Sequence, residues 1–364
     1  MLGKVLALGS VAVLATAPAA VAGGGTFLGS THEHHIVAST VPGNGDVNPY
    51  GVAVVPRSVG RLHAGDVLVS NFNASSNLQG TGTTIVQIAP DGRRTLFATL
   101  RSGDLHGRCF GGVGLSTALV ALRSGWVVVG SLPTRNGMAA TARGGCLIVV
   151  NPWGQAVSTI AGGDVNGPWD MTAADMGGTA DLFVTNVLNG TVAAGGATVH
   201  RGTVVRIDLN TSGTKPWVTS ETVIGSGFAE HSDPAALVVG PTGVGLAANG
   251  TLYVADTVAS RVASIPDALT RMSSDGRGWT VSIGGALNVP LGLTVAPDGH
   301  VLTVNGGDGR IVEIAPAGGQ VATRWLDTSG SPKGAGALFG LAITPDHHGV
   351  WFVDDAANTL DLLH

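Results

Sequence analysis

The sequence predicts an all-β protein built as a six-bladed β-propeller. Gly supplies 57 of the 364 residues, whereas the helix former Glu occurs only at positions 33, 221, 230 and 313. The phrase "GPTGVGLAANGTLYVADTVASRV", which starts at Gly240, returns in similar form as "VPLGLTVAPDGHVLTVNGGDGRI" and "LFGLAITPDHHGVWFVDDAANTL". A repeat of this length indicates one supersecondary unit used several times.

Each unit starts with Gly, or with Asp in the third unit, which precedes an apolar run. A turn and a second apolar run follow, and the second run ends in a polar residue. Short β-branched runs separated by turns such as Pro90-Asp91-Gly92 are typical of antiparallel hairpins. Four such strands, repeated radially, make a propeller. The six units align on one slot, occupied by Gly51, Gly114, Asp170, Gly243, Gly292 and Gly340.

The two ends of the chain predict how the ring closes. The sixth unit stops after its third strand, "TLDLLH", and the strand "HHIVASTV" at residues 34–41 precedes the first unit. We expect this N-terminal strand to pair as the missing fourth strand of the last blade, which leaves no long edge exposed.

The bulk composition restricts partners and location. Only 12% of the residues are charged and the net charge is −5, so the sequence offers no basic footprint for nucleic acid. Residues 1–22 have the pattern of a secretory signal peptide, residues 23–33 are expected to be flexible, and residues 34–364 form a single propeller. The prediction is a secreted or periplasmic monomer without a membrane span after cleavage.

The unit "PTGVGLAANGTLYVADTVASRV" resembles an NHL repeat, and the whole chain is similar to six-bladed propellers of the NHL, TolB-like and SMP-30/gluconolactonase group. This resemblance implies an architecture that hosts binding modules, lactonases and lyases alike. It also implies a divalent cation held at the channel by carboxylate and Asn oxygens. The glutamate expected in the first blade is absent, because the chain there reads "NPYG".

The longest connections fall on one face, where loops between blades meet loops between second and third strands. Insertions concentrated on one face of a rigid scaffold indicate the functional side, although drift of tolerant loops gives the same pattern. Cys109 lies in the connection that enters blade two, and Cys146 begins the third strand of that blade after a long loop, so both are expected on this face. In an exported chain with two cysteines they predict a disulfide, with two free thiols as the alternative.

A metal site is the first candidate at the channel mouth. The similar stretches "GDVNPYG", "GDVNGPWD" and "ALNVPLG" place polar side chains just before three inner strands. Oxygen ligands from several blades suit Ca²⁺, whereas the alternative is that each residue closes a turn with its own backbone. The candidate ligands are Asp170, Asn48, Asn166 and Asn288.

Ligand-binding candidates on the same face are Tyr50 and Trp169, which could stack on a flat ligand, and the loop histidines His106 and His231. Packing within the core and solvated loops are the alternatives. The "THEHH" stretch at residues 31–35 has the density of an incidental transition-metal site. Packing between blades is expected of Trp153, Trp217, Trp279, Trp325 and Trp351.

Together these residues predict a propeller that binds a small molecule, glycan or protein partner through its loop-rich face. The alternative is a divalent-cation-dependent hydrolase or lactonase, in which Ca²⁺ at the channel mouth acts as the Lewis acid.

Overall fold

A computed structural model describes residues 25–234 and 236–364. The predicted signal peptide, residues 1–22, lies outside the described residues. Within them, no helix is long and apolar enough to cross a membrane. Nearly all regular structure is β, in six separate antiparallel sheets arranged as the blades of a propeller.

The first described elements are a helical turn, α1 (Phe27–Ser30), and strand β1 (His34–Ser39). Blade one contains β2 (Val47–Val54), β3 (Val67–Asn73), β4 (Thr84–Ile88) and β5 (Arg94–Thr99). Blade two contains β6 (Leu115–Ala121), β7 (Val127–Ser131), β8 (Cys146–Val150) and β9 (Ala156–Ile160). Blade three contains β10 (Pro168–Asp175), β11 (Thr179–Asn186), the turn α2 (Thr191–Ala194), β12 (Val199–Asn210), β13 (Trp217–Asp233) and β14 (Leu237–Val239).

Blade four contains β15 (Pro241–Leu246), β16 (Leu252–Asp256), β17 (Arg261–Ile265) and β18 (Trp279–Ile283). Blade five contains β19 (Pro290–Val295), β20 (Val301–Asn305), β21 (Arg310–Ile314) and β22 (Gln320–Trp325). Blade six contains β23 (Leu338–Ile343), β24 (Val350–Asp354) and β25 (Thr359–Leu363) together with β1. Three short 3₁₀ turns cover Ser102–Asp104, Ala139–Thr141 and Thr257–Ala259.

The predicted closure is confirmed by the pairing of the first and last strands. β1 runs antiparallel to β25, with His34 opposite Leu363 and Ser39 opposite Thr359. The order of blade six is therefore β1-β25-β24-β23, so the N-terminal strand is its outermost member. The first and last described strands thus share one sheet, and the ring cannot open without breaking that ladder.

Close contact between neighbouring inner strands explains why glycine opens most of the repeats. A Cβ added to Gly51 would lie 2.7 Å from the backbone oxygen of Thr117 in β6. A Cβ on Gly292 would collide with the backbone oxygen of Phe339 in β23. Because backbone cannot move aside as a flexible side chain can, positions 51 and 292 tolerate little beyond a hydrogen atom, whereas blade three accommodates Asp170 in the corresponding slot.

Residues 26–33 correct the expectation of a flexible N-terminal segment. Phe27 and Leu28 are buried against blades five and six. Their backbone N–H groups each donate to the carboxylate of Glu313 at 2.8 Å, and His300 Nδ1 lies 2.6 Å from the same carboxylate. A buried carboxylate that accepts these bonds holds the segment in place.

The tryptophans correct a second expectation. Trp351 is buried, as predicted for a residue between blades, but Trp153 is 58% exposed and Trp279 is 70% exposed. Trp217 and Trp325 are also exposed. Trp279 begins β18, which is the outermost strand of its sheet, and Trp217 begins β13, which pairs with β14 only at its far end, from His231 to Asp233.

We expect the substitution Gly292→Ala to lower the free energy of unfolding by about 1–3 kcal/mol or more, because the new methyl group meets backbone of the next blade. Gly319→Ala is the matched control in the same blade, since no atom lies within 4 Å of a Cβ there. Urea unfolding of both variants measures the difference. Equal stability of the two variants would contradict this account of the repeat.

Candidate functional site

The mouth of the central channel on the loop-rich face is covered by residues 236–239. β14 folds back on the end of β13, with His231 opposite Val239 and Asp233 opposite Leu237. The apolar side chains of this short segment are buried in one cluster with Tyr50, Trp169 and Phe339. The channel mouth is therefore a packed apolar layer.

Tyr50 and Trp169 belong to this layer. The Tyr50 ring stacks on Phe72 at 4.4 Å and on Phe339 at 3.8 Å between ring centroids. The indole N–H of Trp169 donates to the backbone oxygen of Val238 at 3.1 Å. Both side chains are buried, so stacking of either ring on a ligand, as predicted from the sequence, would require residues 236–239 to move.

A polar pocket lies beside this layer, where blade six meets blade one. We call it the seam pocket; its volume is about 490 Å³. Amide, hydroxyl and carboxylate side chains dominate its wall, which suits hydrogen bonding to a polar molecule. Its lining residues are Val47, Asn48, Asn73, Ser75, Asn77, Gln79, Asp355, Ala356 and Asn358.

The centre of the seam pocket is the contact between Asn48 and Asp355. With its amide nitrogen turned toward Asp355, Asn48 donates to the two carboxylate oxygens at 2.5 and 3.1 Å. Its amide oxygen then accepts from Asn73 Nδ2 at 2.9 Å. The backbone N–H of Asn48 donates to Asn358 Oδ1 at 2.7 Å. Asn48 has a φ of 64°, a left-handed conformation that Asn adopts more readily than most residues.

One acceptor at this site has no partner. Asn73 Nδ2 also lies 2.7 Å from Asn77 Oδ1, but Asn73 Oδ1 is buried without a hydrogen bond within the described part of the chain. Asn73 itself is 2% exposed. An unmet buried acceptor costs free energy, and a ligand that donates a hydrogen bond recovers it.

The electrostatics of the seam pocket follow from burial. Desolvation, and to a smaller extent the charge of Asp354, raises the pKa of Asp355 to about 7. Burial likewise raises the pKa of Tyr50, and the Asp355 carboxylate adds to this effect. Binding of a donor group or a cation would favour the ionised form of Asp355.

The structure disperses the residues that the sequence suggested as one metal site. Asn166 Nδ2 donates to Asn189 Oδ1 at 2.5 Å, and Asn288 Nδ2 donates to Asp308 at 3.1 Å. Asn48 contacts Asp355, as described above. Asp170 and Asn48 line different cavities, so these two predicted ligands do not face one point. Each asparagine instead has partners in the loops around it.

Asp170 lies in the central channel, away from the seam pocket. It lines a cavity of about 440 Å³ together with the last residues of the inner strands, so this cavity opens on the face opposite the long loops. Its Oδ2 accepts from the backbone N–H of Val244 at 3.1 Å. Desolvation raises its pKa to about 7, although the N–H groups of Met171 and Val244 partly oppose this.

The two loop histidines occupy separate places. His106 is exposed in a depression between blades one and two, beside Gln155 and Val157. His231 Nδ1 lies 2.8 Å from the backbone oxygen of Ser232, and Asp233 accepts from the backbone N–H of Ala236 at 2.8 Å. Neither histidine lines the seam pocket, and their roles as ligand contacts stay predictions.

The predicted disulfide is present. Cys109 and Cys146 are joined, with 5.2 Å between their Cα atoms. The bond ties the connection that enters blade two to the start of β8, on the loop-rich face.

Asp355, Asn73 and Asn77 are absent from the sequence-based candidates. Asp355 had a signal, since it occupies the recurrent polar slot at the end of each second strand, whereas Asn73 and Asn77 follow that slot of blade one, Asn71, and have no counterpart in the repeat. What the sequence does not reveal is that ring closure brings these two strand ends side by side.

Comparisons with known proteins identify the architecture. No family model and no curated protein sequence matches the chain. Among solved structures, its neighbours are SMP-30/gluconolactonase-like six-bladed β-propellers. A gluconolactonase from Xanthomonas campestris matches with a TM-score of 0.54 and 12% identity over 89% of this chain and 88% of that chain.

Two further neighbours show that the shared fold carries different activities. A streptogramin B lyase matches with a TM-score of 0.54 and 13% identity over 92% of this chain and 98% of that chain. The calcium-binding protein regucalcin from Agrobacterium tumefaciens matches with a TM-score of 0.50 and 13% identity over 90% and 93%. At these identities the likeness shows the fold, and the site has to be argued from this chain.

The pKa of Asp170 predicts a pH dependence of stability. Folding raises this pKa, so between about pH 4 and 7 the native state holds a proton that the unfolded state has lost. The free energy of unfolding therefore falls as the pH rises through this range. The loss from this group between pH 5 and 8 is about 3 kcal/mol.

We therefore expect the free energy of unfolding of Asp170→Asn, measured relative to that of the parent protein, to rise by a few kcal/mol from pH 5 to pH 8, because the variant lacks the group whose stabilisation the parent loses. Urea unfolding of both proteins at the two pH values measures this change. A difference between the two proteins that is independent of pH would contradict the assignment.

Proposed function

We propose that the protein binds a small hydroxyl-rich molecule in the seam pocket on its loop-rich face. The observation that carries this proposal is the buried and unpartnered Asn73 Oδ1 in a wall made of amides and a carboxylate. Hydroxyl groups both donate and accept, so one such ligand can satisfy Asn73, Asn77 and Asp355 together. The pocket volume of about 490 Å³ suits a molecule of sugar size.

Loop geometry supports the placement of the ligand. The polar residues of the pocket come from the start of β2, the end of β3 with the β3–β4 connection, and the loop after β24, all on one face. A site that draws on separate loops of a rigid scaffold can keep its geometry without ligand. Export is part of the proposal, because a disulfide persists in oxidising compartments and Cys109 and Cys146 are joined.

A second candidate is the cation-dependent lactonase or hydrolase, and one observation favours it. Asp355, Asn48 and Asn73 supply a carboxylate and two amide groups at one point, and an oxygen-only ligand set suits Ca²⁺. In this version the amide of Asn48 turns its oxygen inward, and a cation held by these groups would supply the Lewis acidity that polarises a lactone carbonyl. In this candidate site the carboxylate ligand is Asp355. Asp170, which the sequence suggested for that role, lies in the channel cavity.

The test is thermal unfolding of the parent protein, of Asp355→Asn, and of Asp308→Asn as a matched control on the same face of blade five. The probes are millimolar glucose, galactose, ribose and gluconate, each compared with buffer. We expect at least one to raise the melting temperature of the parent and of the control, but not of Asp355→Asn. A ligand at a hundredfold its dissociation constant stabilises by about 2.7 kcal/mol.

The proposal fails if none of the four probes shifts the parent, or if Asp355→Asn shifts as much as the control. The same proteins, with Asp170→Asn added, are then heated with chelator and with millimolar Ca²⁺. A calcium shift that is lost in Asp355→Asn and kept in Asp170→Asn supports the lactonase candidate and justifies assays of lactone hydrolysis. Absence of a calcium shift in the parent removes that candidate.

A further inference from the structure

Three metal-ligating side chains lie close together on the outer edge of blade six, outside the seam pocket. Glu33, His35 and His364 each offer one ligand atom, and these atoms lie within 4.8 Å of one another. His35 Nε2 is 3.0 Å from Glu33 Oε2. The imidazole rings of His35 and His364 lie 5.0 Å apart, edge to face. We call this group the edge cluster.

The backbone holds the edge cluster in place without help from the side chains. The N–H of Glu33 donates to the backbone oxygen of His364 at 2.7 Å, and the N–H of His364 donates back to Glu33 at 3.0 Å. Two residues further on, His35 lies opposite Leu362 in the β1–β25 ladder. The Cα positions are therefore fixed by ordered strands, and only exposed side chains have to rotate to bind an ion.

The ligand types select the metal. Two imidazoles and one carboxylate are a known set for Zn²⁺, with bonds of about 2.0–2.2 Å and a fourth position left to water. A tetrahedral site needs its ligand atoms about 3.3–3.6 Å apart, as follows from those bond lengths. The Glu33–His35 pair, at 3.0 Å, is slightly closer than this, and the ligand atom of His364 lies within 4.8 Å of both, so adjustment of the exposed side chains is needed to complete the set. Ca²⁺ and Mg²⁺ are disfavoured because they prefer oxygen ligands only.

The remaining histidine–carboxylate groups nearby have other partners. The second metal-like cluster contains Asp298, His300 and Glu313, but the Glu313 carboxylate accepts the backbone N–H groups that hold α1. His34, next to the edge cluster in sequence, points across the sheet to Asp361, with 2.6 Å between Nε2 and Oδ2. Of the two metal-like clusters in the described part of the chain, the edge cluster is the one whose three residues are all exposed, so that an ion can enter.

We propose that the edge cluster is a Zn²⁺ site that joins the N-terminal strand to the end of the chain. Glu33 and His35 belong to the first strand of the ring and its approach, whereas His364 follows the last strand, β25. A Zn²⁺ ion held by all three bridges the closure of the propeller. Since the three ligands come together only in the closed ring, Zn²⁺ binding stabilises the folded state by mass action.

The experiment uses the full chain after treatment with chelator. Zn²⁺ affinity is measured by competition with a chromogenic zinc indicator, and the melting temperature is recorded with and without Zn²⁺. The variants are His35→Ala, His364→Ala and Glu33→Gln. His348→Ala, an exposed histidine in the same blade outside the edge cluster, is the matched control.

We expect the parent and His348→Ala to bind one Zn²⁺ per chain and to melt at a higher temperature with it. We expect His35→Ala and His364→Ala to bind about tenfold more weakly or worse, and to lose the thermal shift, because the site depends on imidazole ligands. The melting temperature without Zn²⁺ verifies that each variant is folded. The proposal would be overturned if the parent failed to bind one Zn²⁺, or if His35→Ala and His364→Ala bound Zn²⁺ with the same affinity as the parent.

Discussion

The β1–β25 ladder is the interaction on which the rest of the structure depends. It joins the first and last strands in one blade, so that the inner strands of all six blades form a closed ring. Closure also sets the distance between blade six and blade one. The seam pocket lies in that junction, with Asn48 supplied by blade one and Asp355 by blade six. The edge cluster lies on the closing strands themselves.

Closure of the channel mouth moves the candidate site away from the propeller axis. Residues 236–239 cover the mouth with apolar side chains, and Tyr50 and Trp169 are buried beneath them. The polar groups that remain accessible on this face are therefore displaced to the junctions between blades. Because the solved neighbours include a gluconolactonase, a streptogramin B lyase and a calcium-binding protein, the fold alone does not decide among these chemistries.

The sequence was sufficient for the features that depend on local pattern. The repeat, the turns and the strand missing from blade six predicted the propeller and its closure, and two cysteines in connections of one face predicted the disulfide. Features that depend on packing between distant residues were not predictable. The cover formed by β14 arises from a long connection without a repeat partner, and Phe27 is ordered because Glu313, far along the chain, accepts its N–H. The pairing of Asn48 with Asp355 likewise exists only in the closed ring.

Hydrogen exchange of the backbone amides in residues 34–39 and 359–363 tests the central claim most directly. If the β1–β25 ladder closes the ring, the amides of these segments that donate within the ladder should exchange as slowly as the hydrogen-bonded amides of the inner strand β19, because all of them open only when the propeller unfolds. Fast exchange in both segments beside slow exchange in β19 would show that the N-terminal strand frays from an intact ring. That result would contradict closure as the constraint that forms the seam pocket and the edge cluster.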